Sequence, residues 1–242
     1  MHRFHIDGTQ IMEKRALLSK EEAAHALRVL RLKDGSPIEA LDGHDAWKAV
    51  LRVTDDGAYA ELLEKMTSTE APVDVALFMG IPKGEKLELI AQKLTELGAT
   101  RVVPVRMERC VAKIETKDAE KKLARLRKIA SEAMKQCGRT EEMAIDEPVS
   151  VAEAAKRISD YELGLMLWEE ARGYRLTDAH AETPDARSIA YIVGPEGGIS
   201  AREAEVFTGA GAKSVTLGPR ILRAETAAVA GCAVIMNLWG DL

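Results

Sequence analysis

The chain has 242 residues, of which 46% are hydrophobic and 30% charged, with a net charge of −5. That balance suits one large or two modest globular domains and excludes a largely disordered chain. The longest apolar runs, at 75–81 and 227–234, are far too short for a bilayer span, and no basic-then-apolar opening marks a signal peptide, so a cytoplasmic location and no membrane partner are expected.

Residues 1–70 read as short strands and turns. Asp34-Gly35, Asp42-Gly43 and Asp56-Gly57 are turn pairs, with β-prone runs at 47–53 and 58–62. One helix interrupts them: Ser19 can cap it, Glu22 follows three residues on, and Ala23, Ala26, Leu27 and Leu30 share a side. A small β-barrel or β-rich module over 1–70 is expected, with the boundary where the pattern changes near 67–72.

From 71 to 242 strands and helices alternate. Residues 73–80 are apolar except for Asp74, as in a strand buried on both faces. Leu87, Ile90, Leu94 and Leu97 predict a helix over 84–98, and 101–105 a strand. A long helix runs from 117 to 137, its core side marked by Leu126, Ile129, Ala130, Ala133, Met134 and Cys137, with Gly138 as its stop. Further strands are expected at 163–168, 189–193 and 214–217. The class is α/β with a mostly parallel sheet covered on both faces.

Charge is segregated. Between Lys83 and Arg139 there are 15 Lys and Arg against 8 Asp and Glu, in an otherwise acidic chain. Lys83, Lys86 and Lys93 fall on one side of the first predicted helix of this region. Lys121, Arg125, Lys128 and Lys135 form a stripe on the long helix, and Arg106 and Arg109 lie between. Such a segment suits phosphate contacts, which supply affinity without sequence reading; a solvated helix face is the alternative.

Two loops stand out for chemistry. Gly194-Pro195-Glu196-Gly197-Gly198-Ile199-Ser200 follows a buried strand and precedes a helix that Ser200 and Glu203 open as a capping box. Glycines there let backbone amides approach a ligand beyond the carboxyl end of the strand. The spacing is neither a dinucleotide fingerprint nor a phosphate loop. Leu217-Gly218-Pro219-Arg220-Ile221-Leu222-Arg223-Ala224-Glu225-Thr226-Ala227 also links a strand to a helix; its aliphatics can lie against a flat ligand and its arginines can face an anion. Cys110, Cys137 and Cys232 lack a C-x-x-C pair, and His2, His5, His25, His44 and His180 lack ligand spacing, so free thiols and no metal site are expected.

These pieces resemble the ribosomal RNA small subunit methyltransferase E family of the SPOUT superfamily. The matching residues are Lys83-Gly84-x-Lys86, Gln92-Lys93-x-Thr95-Glu96-Leu97-Gly98, Glu132-Ala133 with Gln136 and Arg139, 194–200, 217–227, Arg3-Phe4 and His25-x-x-Arg28-Val29-Leu30-Arg31. Ser36, Cys137 and Ala144 depart from the family's usual acidic, serine and proline residues.

The resemblance implies a PUA-like RNA-binding barrel over 1–70 and a SPOUT α/β domain over 71–242 whose C-terminal segment threads a trefoil knot. It implies a homodimer that methylates N3 of a uridine in the decoding region of 16S ribosomal RNA, free or within the small subunit, using S-adenosylmethionine. The cofactor would lie against Leu167, Gly194, Glu196, Gly198, Leu217, Gly218, Ile221 and Leu222. Arg223 or Arg220 would stabilise charge on the base, with Glu225 a candidate proton acceptor and the general base left open. RNA would contact His25, Arg28, Arg31, Lys83, Lys86, Lys93, Arg109, Lys121, Arg125 and Lys128. The competing readings are a non-catalytic RNA-binding factor, a relative acting on ribose hydroxyls or transfer RNA, and a small-molecule α/β enzyme.

Overall fold

The computed structural model describes residues 1–55, 57–111 and 116–242. The chain divides into two compact units, Met1–Glu70 with Met134–Glu142, and Ala71–Ala133 with Met143–Leu242. Assignment of 134–142 to the first unit departs from a simple division at 70/71.

The first unit holds a five-stranded sheet of β1 (His2–His5), β2 (Arg15–Leu17), β3 (Pro37–Leu41), β4 (Ala46–Thr54) and β5 (Gly57–Lys65), ordered β1-β3-β4-β5-β2. Just beyond the two edge strands, Ile6 and Leu18 form an antiparallel bridge, which joins the edges and removes open backbone groups. Phe4, Ile38, Leu51 and Ala60 lie fully buried inside. Between β2 and β3, α1 (Lys20–Ala24) is capped as expected, the Glu22 N–H donating to Ser19 Oγ at 3.1 Å. It does not run on to Leu30: His25–Val29 widens into a π-helical turn, and Arg31 follows with φ +54°. Gly35 and Gly43 take positive φ in their turns, whereas Asp56 lies outside the described residues.

Arg139 explains why 134–142 belongs here. Its guanidinium, 5% exposed, donates to Glu70 Oε2 through Nε at 2.9 Å and Nη2 at 2.6 Å, while Thr140 and Glu141 N–H donate to Oε1 at 2.8 and 3.0 Å. Burial pushes the Glu70 carboxyl up, but these donors outweigh it and hold it below the ordinary carboxylate value. A depressed carboxyl contributes stability above its unfolded-state pKa and loses it as pH falls through the folded-state value. Glu70→Ala should therefore destabilise the protein by about 3 kcal/mol at neutral pH. Thermal melts should show the difference from wild type shrinking below the ordinary carboxylate range; a constant difference across that range would contradict the assignment.

The second unit is α/β. Its strands are β6 (Asp74–Gly80), β7 (Arg101–Arg106), β8 (Ala144–Ile145), β9 (Val149–Ser150), β10 (Leu163–Leu167), β11 (Ser188–Val193) and β12 (Lys213–Val215). All pair in parallel, in the order β12-β10-β11-β6-β7-β8, with β9 also on β7. On one face α2 (Lys86–Glu96), α3 (Thr116–Cys137), α5 (Leu176–Glu182) and α7 (Ala224–Trp239) pack against Val75, Leu77 and Met79. On the other, α4 (Val151–Ile158) and α6 (Ala201–Gly209) cover Ala76 and Phe78. Two apolar faces on β6 account for its unbroken apolar run. α2 starts two residues later than predicted because Gly84 has φ +62°, and α3 ends at Gly138, φ +95°, whose N–H donates to Met134 O at 3.0 Å. The sequence reading left out α4, α5 and the short β8 and β9. Among the described residues no helix is long and apolar enough to cross a membrane.

Candidate active site

Because these strands are parallel, the loops that follow them emerge along one carboxyl edge, where ligands of open α/β sheets lie. The order β12-β10-β11 sets the loops after β11 and β12 on either side of Leu167-Trp168-Glu169, where β10 ends. Trp168 joins the two sides: its backbone N–H donates to Val215 O at 3.3 Å and its indole Nε1–H to Ile199 O at 3.2 Å.

The loop at 194–200 is tight. Gly198 N–H donates to Pro195 O at 2.9 Å, closing a turn in which Gly198 has φ +74°. A Cβ on Gly194 would lie 2.8 Å from the backbone carbon of Gly198 and 2.9 Å from the Ile199 nitrogen, so only glycine lets the loop double back. The capping box forms as expected, with Ser200 N–H donating to Glu203 Oε2 at 3.0 Å. Glu203 Oε1 also accepts from Glu108 N–H at 2.6 Å, which ties in the loop after β7.

In the loop after β12, Gly218 N–H donates to Thr216 Oγ1 at 3.2 Å and Thr216 N–H to Tyr174 O at 2.9 Å. Leu217 packs at the margin of the core and Leu222 is half-buried, but Ile221 is 87% exposed. Arg220 and Arg223 are exposed, Arg223 occupying the position that caps α7. α7 then returns over β10 and β11: a Cβ on Gly231 would lie 2.5 Å from Leu167 Cδ1, and Tyr191 donates to Ala228 O at 2.9 Å.

Lys86 reaches both loops. Its Nζ lies 3.0 Å from Glu196 Oε1 and 3.0 Å from Glu225 Oε2, and Lys83 N–H donates to the same Glu196 oxygen at 3.0 Å. Burial raises the Glu196 and Glu225 carboxyls, but backbone N–H donors and Lys86 prevail, so both sit below the ordinary value. The paired carboxylates raise the Lys86 ammonium in turn. A depressed Glu225 is a weak proton acceptor. The cation paired with it is Lys86.

Several of the other described cations have a partner within the protein. Lys93 pairs with Glu96 at 2.9 Å, Arg125 with Glu88 at 2.7 Å, and Arg109 donates to Gly197 O at 3.0 Å. Lys83, Lys121 and Lys128 are exposed on the second unit, and Arg28 and Arg31 on the first. His25 is half-buried with its ring edge-on to Phe4, 6.2 Å between centroids.

Trp168 and Glu169 were not anticipated, nor was the second bond of Glu203, to the loop after β7. Glu169 occupies the space over Gly198, its Oε1 1.7 Å from where a Cβ would be and 4.0 Å from Arg109 Nη1. The acidic pair Glu169-Glu170 directly after a buried strand was the available signal. A cavity of about 330 Å³ opens at the opposite, amino edge, lined by Asp74, Arg101, Asp146, Arg157 and Tyr161. Asp146 bridges Arg101 at 2.7 Å and Arg157 at 3.0 Å there, at the end of the sheet opposite both loops.

Comparison with known proteins agrees with this geometry. Residues 69–236 match the family model described as an RNA methyltransferase domain. The chain is 34% identical to ribosomal RNA small subunit methyltransferase E of Bacillus subtilis, over 94% of this chain and 93% of that one. It is 31% identical to the Synechocystis protein of the same name, over 98% and 78%. The crystal structure of a ribosomal RNA small subunit methyltransferase E from Neisseria gonorrhoeae, bound to S-adenosyl methionine, superposes with a TM-score of 0.89 at 33% identity, covering 100% of this chain and 99% of the other. The chain therefore belongs to the RNA methyltransferase family, on its ribosomal RNA small subunit methyltransferase E branch.

Proposed function

We propose that this chain is an S-adenosylmethionine-dependent methyltransferase acting on N3 of a uridine in the decoding region of 16S ribosomal RNA. The observation that carries the reading is the placement of the glycine loop at 194–200 and the Gly218 turn on either side of the end of β10, in a fold shared with a relative solved with that cofactor. The residues fit the ligand: the Gly218 turn leaves backbone open, Leu167, Leu217, Ile221 and Leu222 offer apolar surface for adenine, and Glu169, over Gly198, and Glu196 suit a cationic donor.

S-adenosylmethionine supplies an activated methyl on a sulfonium, so the protein mainly has to orient donor and acceptor. Uridine N3 carries a proton that must leave before its lone pair can accept the methyl. Arg223 or Arg220, beside the amino end of α7, stabilises charge growing on the flanking carbonyl oxygens. Lys86 keeps Glu225 ionised but poorly basic, which counts against Glu225 as the group that removes the proton.

The same reading makes 1–70 a PUA-like barrel, supported by the Ile6–Leu18 bridge across its edge strands. It makes the second domain, 71–242, a SPOUT knot, supported by the return of α7 over β10 and β11 after β12 at the sheet edge. A homodimer in the cytoplasm completes it. Ribosomal RNA, bare or within the small subunit, would meet His25, Arg28, Arg31, Lys83, Lys121 and Lys128, with Lys93, Arg109 and Arg125 released from their present partners.

Mass spectrometry of nucleosides from ribosomal RNA, with and without this protein, tests the reaction. Loss of 3-methyluridine supports it; loss of a ribose-methylated nucleoside, or no change, counts against it. Changing Lys121, Arg125 and Lys128 together to Ala should reduce the slope of log K against log salt by roughly two to three. An unaltered slope in a salt titration would leave the α3 stripe facing solvent.

A further inference from the structure

Lys86 sits between two acidic side chains. Its ammonium is about equidistant from two carboxylates, at 3.0 Å from Glu196 Oε1 and 3.0 Å from Glu225 Oε2. The three residues come from three separate places, the first turn of α2, the loop after β11 and the first turn of α7. Lys83 N–H adds a second tie from the α2 side to Glu196, at 3.0 Å. A lysine whose charge is matched twice within the protein has little left for a phosphate, and its side chain is only 30% exposed. The raised ammonium and lowered carboxyls keep all three groups charged near neutral pH.

We propose that Lys86 is a positioning residue that clamps the 194–200 loop to the start of α7 and so fixes the two cofactor-facing turns against each other. Trp168 ties the 194–200 loop to the end of β10 through its indole, and its backbone N–H ties β10 to Val215 at the end of β12, so Lys86 adds a second brace on the α2 side. The clamp acts at no reacting atom. Its effect is on the spacing of turns that must grip one ligand together, where a displacement of about 1 Å is costly. The proposal rests on the cofactor reading above, and its test separates the two.

Full-length wild type, Lys86→Met and Lys86→Arg are compared by hydrogen–deuterium exchange without cofactor, by titration with S-adenosylmethionine, and by the salt dependence of binding to a ribosomal RNA fragment. In Lys86→Met, amides in both 194–200 and 217–227 are expected to exchange faster, on the order of tenfold. Cofactor Kd should rise by about tenfold, while the salt slope is unchanged and Lys86→Arg restores most of the affinity. Glu225→Gln removes one arm with little change of shape, and should speed exchange at 217–227 more than at 194–200. Wild-type exchange in both segments of Lys86→Met overturns the clamp, as does faster exchange confined to α2. A salt slope reduced by about one, with exchange unaltered, would make Lys86 a phosphate contact instead. Faster exchange in both segments, in a protein whose wild type binds no cofactor, would sustain the clamp and remove the cofactor reading.

Discussion

Gly194→Ala is expected to lower kcat/KM for S-adenosylmethionine by roughly a hundredfold, the scale of a displacement of about 1 Å at a binding turn. The new Cβ would meet backbone, the Gly198 carbon at 2.8 Å and the Ile199 nitrogen at 2.9 Å, so no side chain can rotate away to relieve it. The loop itself must open, and with it the turn that presents Gly198. Gly198→Ala is a gentler test, because the clash there is with the flexible end of Glu169, although φ +74° adds its own strain. Gly209→Ala, at the end of α6 with nothing within 4 Å of the added carbon, is the control that should leave activity intact. Steady-state kinetics on the three variants decide the point; Gly194→Ala with wild-type kinetics would mean that the loop does not hold the cofactor.

Arg223→Ala should reduce kcat by at least about tenfold, as expected for removing one charge-stabilising donor, with cofactor Kd nearly unchanged. Arg223 is exposed at the cap of α7, on the same edge as Gly218, and its side chain makes no cap hydrogen bond. Its loss therefore costs the fold little. Arg220→Ala, three residues earlier and equally exposed, is the necessary comparison. Single-turnover rates that fall for one variant and not the other assign the role. An unchanged rate in Arg223→Ala removes it from the chemistry.

Local signals account for what the sequence disclosed. The strand at 189–193, the glycine loop and the Ser200–Glu203 box lie within a few residues of one another, so periodicity and capping rules reach them directly. The same holds for α3 and its Gly138 stop. Ser150 and Glu153 carried an equally good signal for α4, which went unread. Long-range pairing is a different matter. That β12 lies beyond β10, placing the Gly218 turn across the end of β10 from the Gly198 turn, depends on strand order and on no local pattern. Lys86 looked like a phosphate ligand because its partners stand 110 and 139 positions away in the chain. Likewise, nothing near Arg139 announces that its carboxylate is Glu70. The π-helical turn at His25–Val29 also had no signal, since its residues suit an ordinary helix.

The most direct test is isothermal titration of the intact wild-type chain with S-adenosylmethionine, repeated on Gly194→Ala. Saturable binding near one cofactor per chain, lost or greatly weakened in the variant, is the predicted result. No measurable heat with wild type at millimolar cofactor, or equal affinity in the two proteins, would contradict a shared pocket between the turns at 194–200 and 217–227.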